Sequence, residues 1–111
     1  MTQSSAILRY VGKLTGLYPV DPLLALQVDE IDMMVEEVAM RTIIATAHLN
    51  GQARLDGRAA LAADKQGALH FWLRRLNTKL SESSSGFVVG DALTVADLRI
   101  FCELTAATSG W

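Results

Sequence analysis

Hydrophobic positions along this chain recur at spacings of three and four, the period of a helix that buries one face. Ile7, Leu8, Val11 and Leu14 form the first such group, which predicts a short amphipathic helix from Ser4 to about Thr15 with Gly16 as its stop. Asp21 then precedes Pro22, a capping carboxylate followed by a residue that suits a helix's first position. The strongest stripe follows. Leu24, Val28, Ile31, Val35, Val38, Thr42, Ala45 and Leu49 predict one long helix running to Asn50-Gly51. A third helix is expected to open at Asp56-Gly57, with Leu61, Leu69, Trp72, Leu73, Leu76 and Leu80 facing inward and Lys65, Arg74, Arg75 and Lys79 facing out. The serines from Ser81 to Ser85 end it, and a polar loop containing Gly86 and Gly90 leads to a fourth helix.

That last helix carries a start signal. Thr94 can accept from the amide of the third helical residue while Asp97 reaches back to the amide of Thr94, a capping box with aspartate in the reciprocal place. Leu93 and Leu98 stand where a hydrophobic staple would hold the entering chain. Asp29, Glu30, Asp32, Glu36 and Glu37 lie off the long stripe and read as a solvated acidic face that also suits the positive end of the macrodipole. Phe87-Val88-Val89 is too short to count as a strand, so the expected fold class is all-α.

Composition agrees with a packed helical protein: of 111 residues, 50% are hydrophobic and 20% charged, with two prolines. The net charge of -2 and the scatter of the ten Lys and Arg leave no basic stripe to follow a phosphate backbone, so nucleic acid is not an expected partner. No apolar run approaches the roughly 18 residues of a membrane span, and the first ten residues lack the apolar stretch of a signal peptide, which makes the cytoplasm the expected location and a membrane an unexpected partner. Cys102 is the one cysteine, expected as a buried inert thiol on the apolar side of the last helix. His48 and His70 have no partner at ligand spacing, so no metal site is expected. Met33, Met34 and Met40 read as core or subunit contact rather than as the lining of an adaptable apolar pocket.

Two segments resemble a known family. Gln3-Ser4-Ser5-Ala6-Ile7-Leu8-Arg9-Tyr10-Val11, with Gly16-Leu17-Tyr18-Pro19 after it, looks like the last helix of the thioredoxin-like domain of cytosolic glutathione S-transferases and the linker that follows. Phe87 to Phe101, reading FVVGDALTVADLRIF, is similar to the segment that opens the central buried helix of the family's helical domain. The resemblance spans essentially the whole chain. It implies a helical bundle of the glutathione S-transferase C-terminal type over residues 20–111, preceded by a remnant of the thioredoxin-like domain over residues 1–19.

What the resemblance implies about chemistry falls on few residues. Gln3 and Ser4 match the pair that binds the γ-glutamyl end of glutathione, and a helix amino terminus, with unpaired amides and a positive dipole end, suits a carboxylate. Glu37, or its neighbour Glu36, falls near the place from which an acidic residue of the other subunit approaches the ligand's amine in several classes. Arg9 and Tyr10 match structural or subunit-contact positions, and Thr94 and Asp97 match the family's folding signal. The Tyr, Ser or Cys that activates the thiol, and the cis-proline loop that pairs with glutathione's backbone, belong to the thioredoxin-like half ahead of Gln3. No catalytic residue is therefore assigned, no cofactor is expected, and glutathione enters as a substrate only if that half is supplied. The resemblance also implies a homodimer or association with another chain. The competing reading is a non-catalytic assembly module with the same helical fold.

Overall fold

A computed structural model describes residues 3–108, which are helical with no strand. Five α-helices follow in order: α1 (Ser4–Thr15), α2 (Pro22–Arg41), α3 (Gly51–Ala63), α4 (Ala68–Glu82) and α5 (Val95–Thr108), with one 3₁₀ turn at Ile44–Thr46 between α2 and α3. The core lies where α2, α4 and α5 meet. Val28, Ile31, Val35 and Val38 of α2 pack with Trp72 and Leu76 of α4 and with Val95, Ala96 and Ile100 of α5. Val88 and Val89 close it from the loop before α5. This short apolar pair lies in a bent loop, not a strand, and the core buries it.

Both ends of α1 follow local chemistry. Gly16 takes the left-handed conformation at φ 75°, which glycine adopts without a Cβ clash, and the amides of Leu17 and Tyr18 both return to the carbonyl of Gly12. Gly12 is itself buried, because a Cβ there would lie 2.7 Å from Val95 Cγ1. That close approach seats α1 on α5, and the amide of Val95 donates to the carbonyl of Leu17 at 2.9 Å. At the start of α2, Asp21 Oδ1 accepts from the amides of Leu23 and Leu24, each at 2.9 Å.

Two helices predicted as continuous are broken. The α2 stripe was expected to reach Leu49, yet the helix stops at Arg41. Thr42, Ile43 and Ile44 are consecutive β-branched residues, and the hydroxyls of Thr42 and Thr46 bond back to the carbonyls of Val38 and of Thr42 and Ile43. The chain tightens into three-residue turns, with the amides of Thr46, Ala47 and Leu49 each reaching back three residues. Ala45 is consequently exposed. The next helix starts at Gly51 rather than at Asp56-Gly57, and Gly57 serves as a contact instead: a Cβ there would lie 3.1 Å from Leu49 Cδ1.

The second break divides the expected third helix into α3 and α4. Asp64 Oδ1 accepts from the amide of Gln66 at 3.0 Å and its carbonyl accepts from Gly67 at 2.9 Å, a side-chain-assisted turn that competes with helix continuation. Arg74 then donates to the carbonyl of Lys65 at 3.0 Å, fastening the turn to α4. Leu80, expected inward, is exposed, whereas Trp72 and Leu76 are buried.

Candidate functional site at the amino terminus of the first helix

Gln3 is the N-cap of α1, at φ 70° and ψ 99°, with no side-chain capping bond. It is the one non-glycine residue with positive φ among those described, and such a conformation in a residue with a Cβ carries strain. Ser4 is the first helical residue, and both side chains are exposed. The first amides of α1 therefore face outward with a serine hydroxyl beside them, an arrangement suited to an anionic group.

One carboxylate holds this end of the molecule to α2. Asp29 Oδ1 accepts from Arg9 Nε at 3.1 Å and from the Tyr18 hydroxyl at 3.0 Å, with a second Arg9 nitrogen 2.9 Å away. Burial, the hydrogen bond to Asp29 and its charge together push the Tyr18 hydroxyl above its ordinary range. Arg9 is raised as well, its burial outweighed by the hydrogen bond and charge of Asp29. Tyr18 thus spends its proton on Asp29 and has none to offer a thiolate, and Tyr10 stands exposed on the outer side of α1.

Glu37 is exposed and pairs with Arg41 one turn on, at 2.8 Å. It lines a cavity of about 220 Å³ with Met34, Phe71 and Trp72, a space that includes neither Gln3 nor Ser4. No hydrogen bond or ion pair joins Glu37 to those two residues among the described ones. Along α2 it lies eight residues beyond Asp29, roughly 12 Å at the helical rise.

The acidic run on α2 is not the solvated face its spacing suggested. Asp29 binds α1, as above. Glu30 accepts from Lys79 at 3.0 Å and Arg75 at 3.2 Å on α4. Those two partners, Lys79 first, hold its carboxyl below the usual range against a smaller effect of burial. Asp32 is only 5% exposed, and its Oδ1 lies 3.1 Å from Arg99 Nε, an ion pair whose angle is too poor for a hydrogen bond. Arg99 also reaches Glu36 at 2.5 Å. Signs that alternate between facing helices cannot be read from the spacing on one of them, so these cross-bundle pairs were missed.

At the start of α5, Asp97 Oδ2 accepts from the amide of Thr94 at 2.8 Å and from its hydroxyl at 3.0 Å. Thr94 Oγ1 takes the amide of Ala96 at 3.3 Å, the second helical amide rather than the third. Leu93 and Leu98 are 43% and 38% exposed, so the pair expected as a staple buries little surface. Cys102 is exposed, a correction to its expected burial: the buried stripe of α5 runs through Ala96 and Ile100, and Cys102 lies about 200° round the helix from Ile100. His70 Nε2 lies 2.8 Å from the carbonyl of Ala62 and links α4 to α3. No group of three or more His, Cys, Asp or Glu side chains that could hold a metal occurs among the described residues. No helix among them is long and apolar enough to cross a membrane.

Comparison with known proteins gives this geometry a family. Residues 40–109 match the family model described as glutathione S-transferase, C-terminal domain. Over 100 residues the chain is 33% identical to glutathione S-transferase P of Capra hircus and to that of Homo sapiens, matches covering 88% of the chain and 44% of each relative. A solved glutathione S-transferase of Caenorhabditis elegans superposes with a TM-score of 0.75 at 25% identity, over 99% of this chain and 53% of that one. The all-helical bundle and this match define the class, and the chain belongs to the glutathione S-transferase C-terminal domain family. It spans 44% of the length of the goat and human relatives and about half of the nematode one.

Proposed function

We propose that this chain is the helical part of a glutathione-conjugating transferase, with Gln3 and Ser4 holding the γ-glutamyl end of glutathione and Glu37 of a second copy approaching the ligand's amine. The observation that carries this reading is the amino terminus of α1, where Gln3 sits at φ 70° with no side-chain cap and Ser4 stands beside outward-facing amides. The apolar side of the same helix supports it. Ile7, Val11 and Leu14 are 37%, 45% and 70% exposed, a face fit to lie against a sheet. In this reading that sheet belongs to a thioredoxin-like half, which also supplies the hydroxyl or thiol that activates glutathione. Residues 1–19 are then the end of that half and residues 20–111 part of the helical domain. The cytoplasm, where reduced glutathione and a reduced Cys102 coexist, is the compartment we assign.

The 111 residues by themselves do not conjugate glutathione in this account. Tyr18 is committed to Asp29, and Tyr10 and Cys102 are both exposed, outside the enclosed site that thiol activation requires. Isotope-edited NMR of the chain titrated with reduced glutathione tests the binding half of the proposal. Shifts confined to the first turn of α1, weakened by Ser4→Ala, are expected, and shifts centred elsewhere would count against it. A second reading, a non-catalytic assembly module, is favoured by the exposed Phe101, Leu98 and Leu104 on α5. It predicts stable association with another chain that does not respond to glutathione.

A further inference from the structure

A cavity of about 100 Å³ opens between the carboxyl end of α2 and helices α3, α4 and α5, away from the amino terminus of α1. Its walls are largely apolar, formed by Ile43, Leu61, Leu69 and Trp72. Three polar side chains reach it. Thr42 is satisfied, its hydroxyl donating to the carbonyl of Val38 at 2.7 Å. Arg58 is engaged too, with Nε donating to Thr46 Oγ1 at 3.4 Å. Glu103 differs: it is half-buried, and its side chain makes no hydrogen bond or ion pair among the described residues.

The charges around Glu103 do not neutralise it. Arg99 lies one turn earlier on α5 but is held by Asp32 and Glu36 of α2, and Glu36 repels Glu103. Arg58 faces the cavity from α3, and α4 contributes only Leu69 and Trp72 near this end. Burial, which leads, and Glu36 together raise the carboxyl of Glu103 above its usual range against the pull of Arg99. A half-buried carboxylate without a partner beside apolar walls is completed by a cation that carries a hydrocarbon body. The body must be small, because a cavity of ~150 Å³ is what a benzene ring occupies in a well-studied case. Only the branched three-carbon end of a short chain is small enough for this space, the remaining methylenes leading from it toward the carboxylate.

We propose that this cavity is a binding site for a small branched aliphatic primary amine, with the ammonium paired to Glu103 and the hydrocarbon against Leu69 and Trp72. The site lies outside the glutathione contact and stands or falls independently of it. The test titrates the full chain with 3-methylbutylamine, its alcohol and its carboxylate at neutral pH, following Trp72 and Glu103 by NMR. The amine is expected to bind about tenfold more tightly than the alcohol, the margin of one charge-assisted hydrogen bond, and the carboxylate least. Glu103→Gln, which removes charge without removing volume, is expected to erase the preference for amine while leaving the alcohol unchanged. Leu69→Phe, which fills the space, should abolish binding of both. Equal affinity for amine and alcohol, a preference that survives Glu103→Gln, or no binding by any of the three overturns the proposal.

Discussion

The amide of Val88 donates to Asp97 Oδ1 at 2.9 Å, nine residues ahead, while the other oxygen of the same carboxylate closes the cap at Thr94. Asp97 therefore fastens the loop that delivers Val88 and Val89 to the core as well as starting α5. Asp97→Ala is expected to lower the unfolding free energy by about 2–4 kcal/mol, a lost cap plus a stranded amide. Asp97→Asn, which keeps one acceptor, should lose about half of that. Urea denaturation of the three proteins measures both.

Arg99 binds α5 to α2 through Asp32, which has little water of its own. Removing the arginine leaves that carboxylate buried beside a vacancy in charge. Arg99→Met is expected to destabilise by about 3–5 kcal/mol, and Arg99→Met with Asp32→Leu to recover most of the loss. A double-mutant cycle in which the second change recovers nothing would show that the pair is incidental to the α2–α5 contact.

Gly12 has no room for a methyl group, since its Cβ would meet Val95 Cγ1 at 2.7 Å and Tyr18 Cβ at 3.2 Å. Gly12→Ala therefore destabilises, by about 1–3 kcal/mol, although alanine favours helices more than glycine does. Val95→Ala in the same chain should relieve part of the clash, which thermal unfolding of the double variant would register.

Glu30 and Glu103 should give stability opposite dependences on pH. The carboxyl of Glu30 is depressed in the folded state by Lys79 and Arg75, so its contribution is present above the ordinary carboxylate range and fades as pH falls through the folded value. The carboxyl of Glu103 is raised, so its contribution is present below the ordinary range and is lost as pH rises through the folded value. Glu30→Gln is accordingly expected to weaken the fold at neutral pH and to match the parent in acid, and salt should shrink the difference at this partly exposed pair. Glu103→Gln is expected to strengthen the fold at neutral pH and to match the parent in acid. Denaturant midpoints at neutral and acid pH distinguish the two.

The helices legible in the sequence were those whose ends carry local chemistry: Gly16 after α1, Asp21-Pro22 before α2, and Thr94 with Asp97 before α5. Periodicity failed where it was continuous but the backbone was not. Leu49 and Leu61 stay in phase with their stripes, yet back-bonding threonines at positions 42 and 46 and the turn at Asp64 interrupt the helices between. The Asp64-to-Gly67 turn left a signal that the leucine stripe outweighed. The acidic run on α2 was misread because its partners, Arg9, Arg75, Lys79 and Arg99, lie on three other helices. At the candidate site, Gln3 and Ser4 were nominated by the family resemblance, whereas the positive φ of Gln3 is a backbone property that no side-chain pattern reports.

In the proposed function this bundle conjugates glutathione only in company with a thioredoxin-like half, through the first turn of α1. It is tested most directly by the conjugation rate of reduced glutathione with a chromogenic aryl halide, measured for the 111 residues alone and with the thioredoxin-like half of the human relative placed ahead of Gln3. The expected results are the uncatalysed rate for the chain alone, turnover well above it for the fusion, and a loss of about tenfold in that turnover on Ser4→Ala, the size expected for one hydrogen bond to a charged ligand. A folded fusion with no turnover, or turnover by the 111 residues alone, would contradict it.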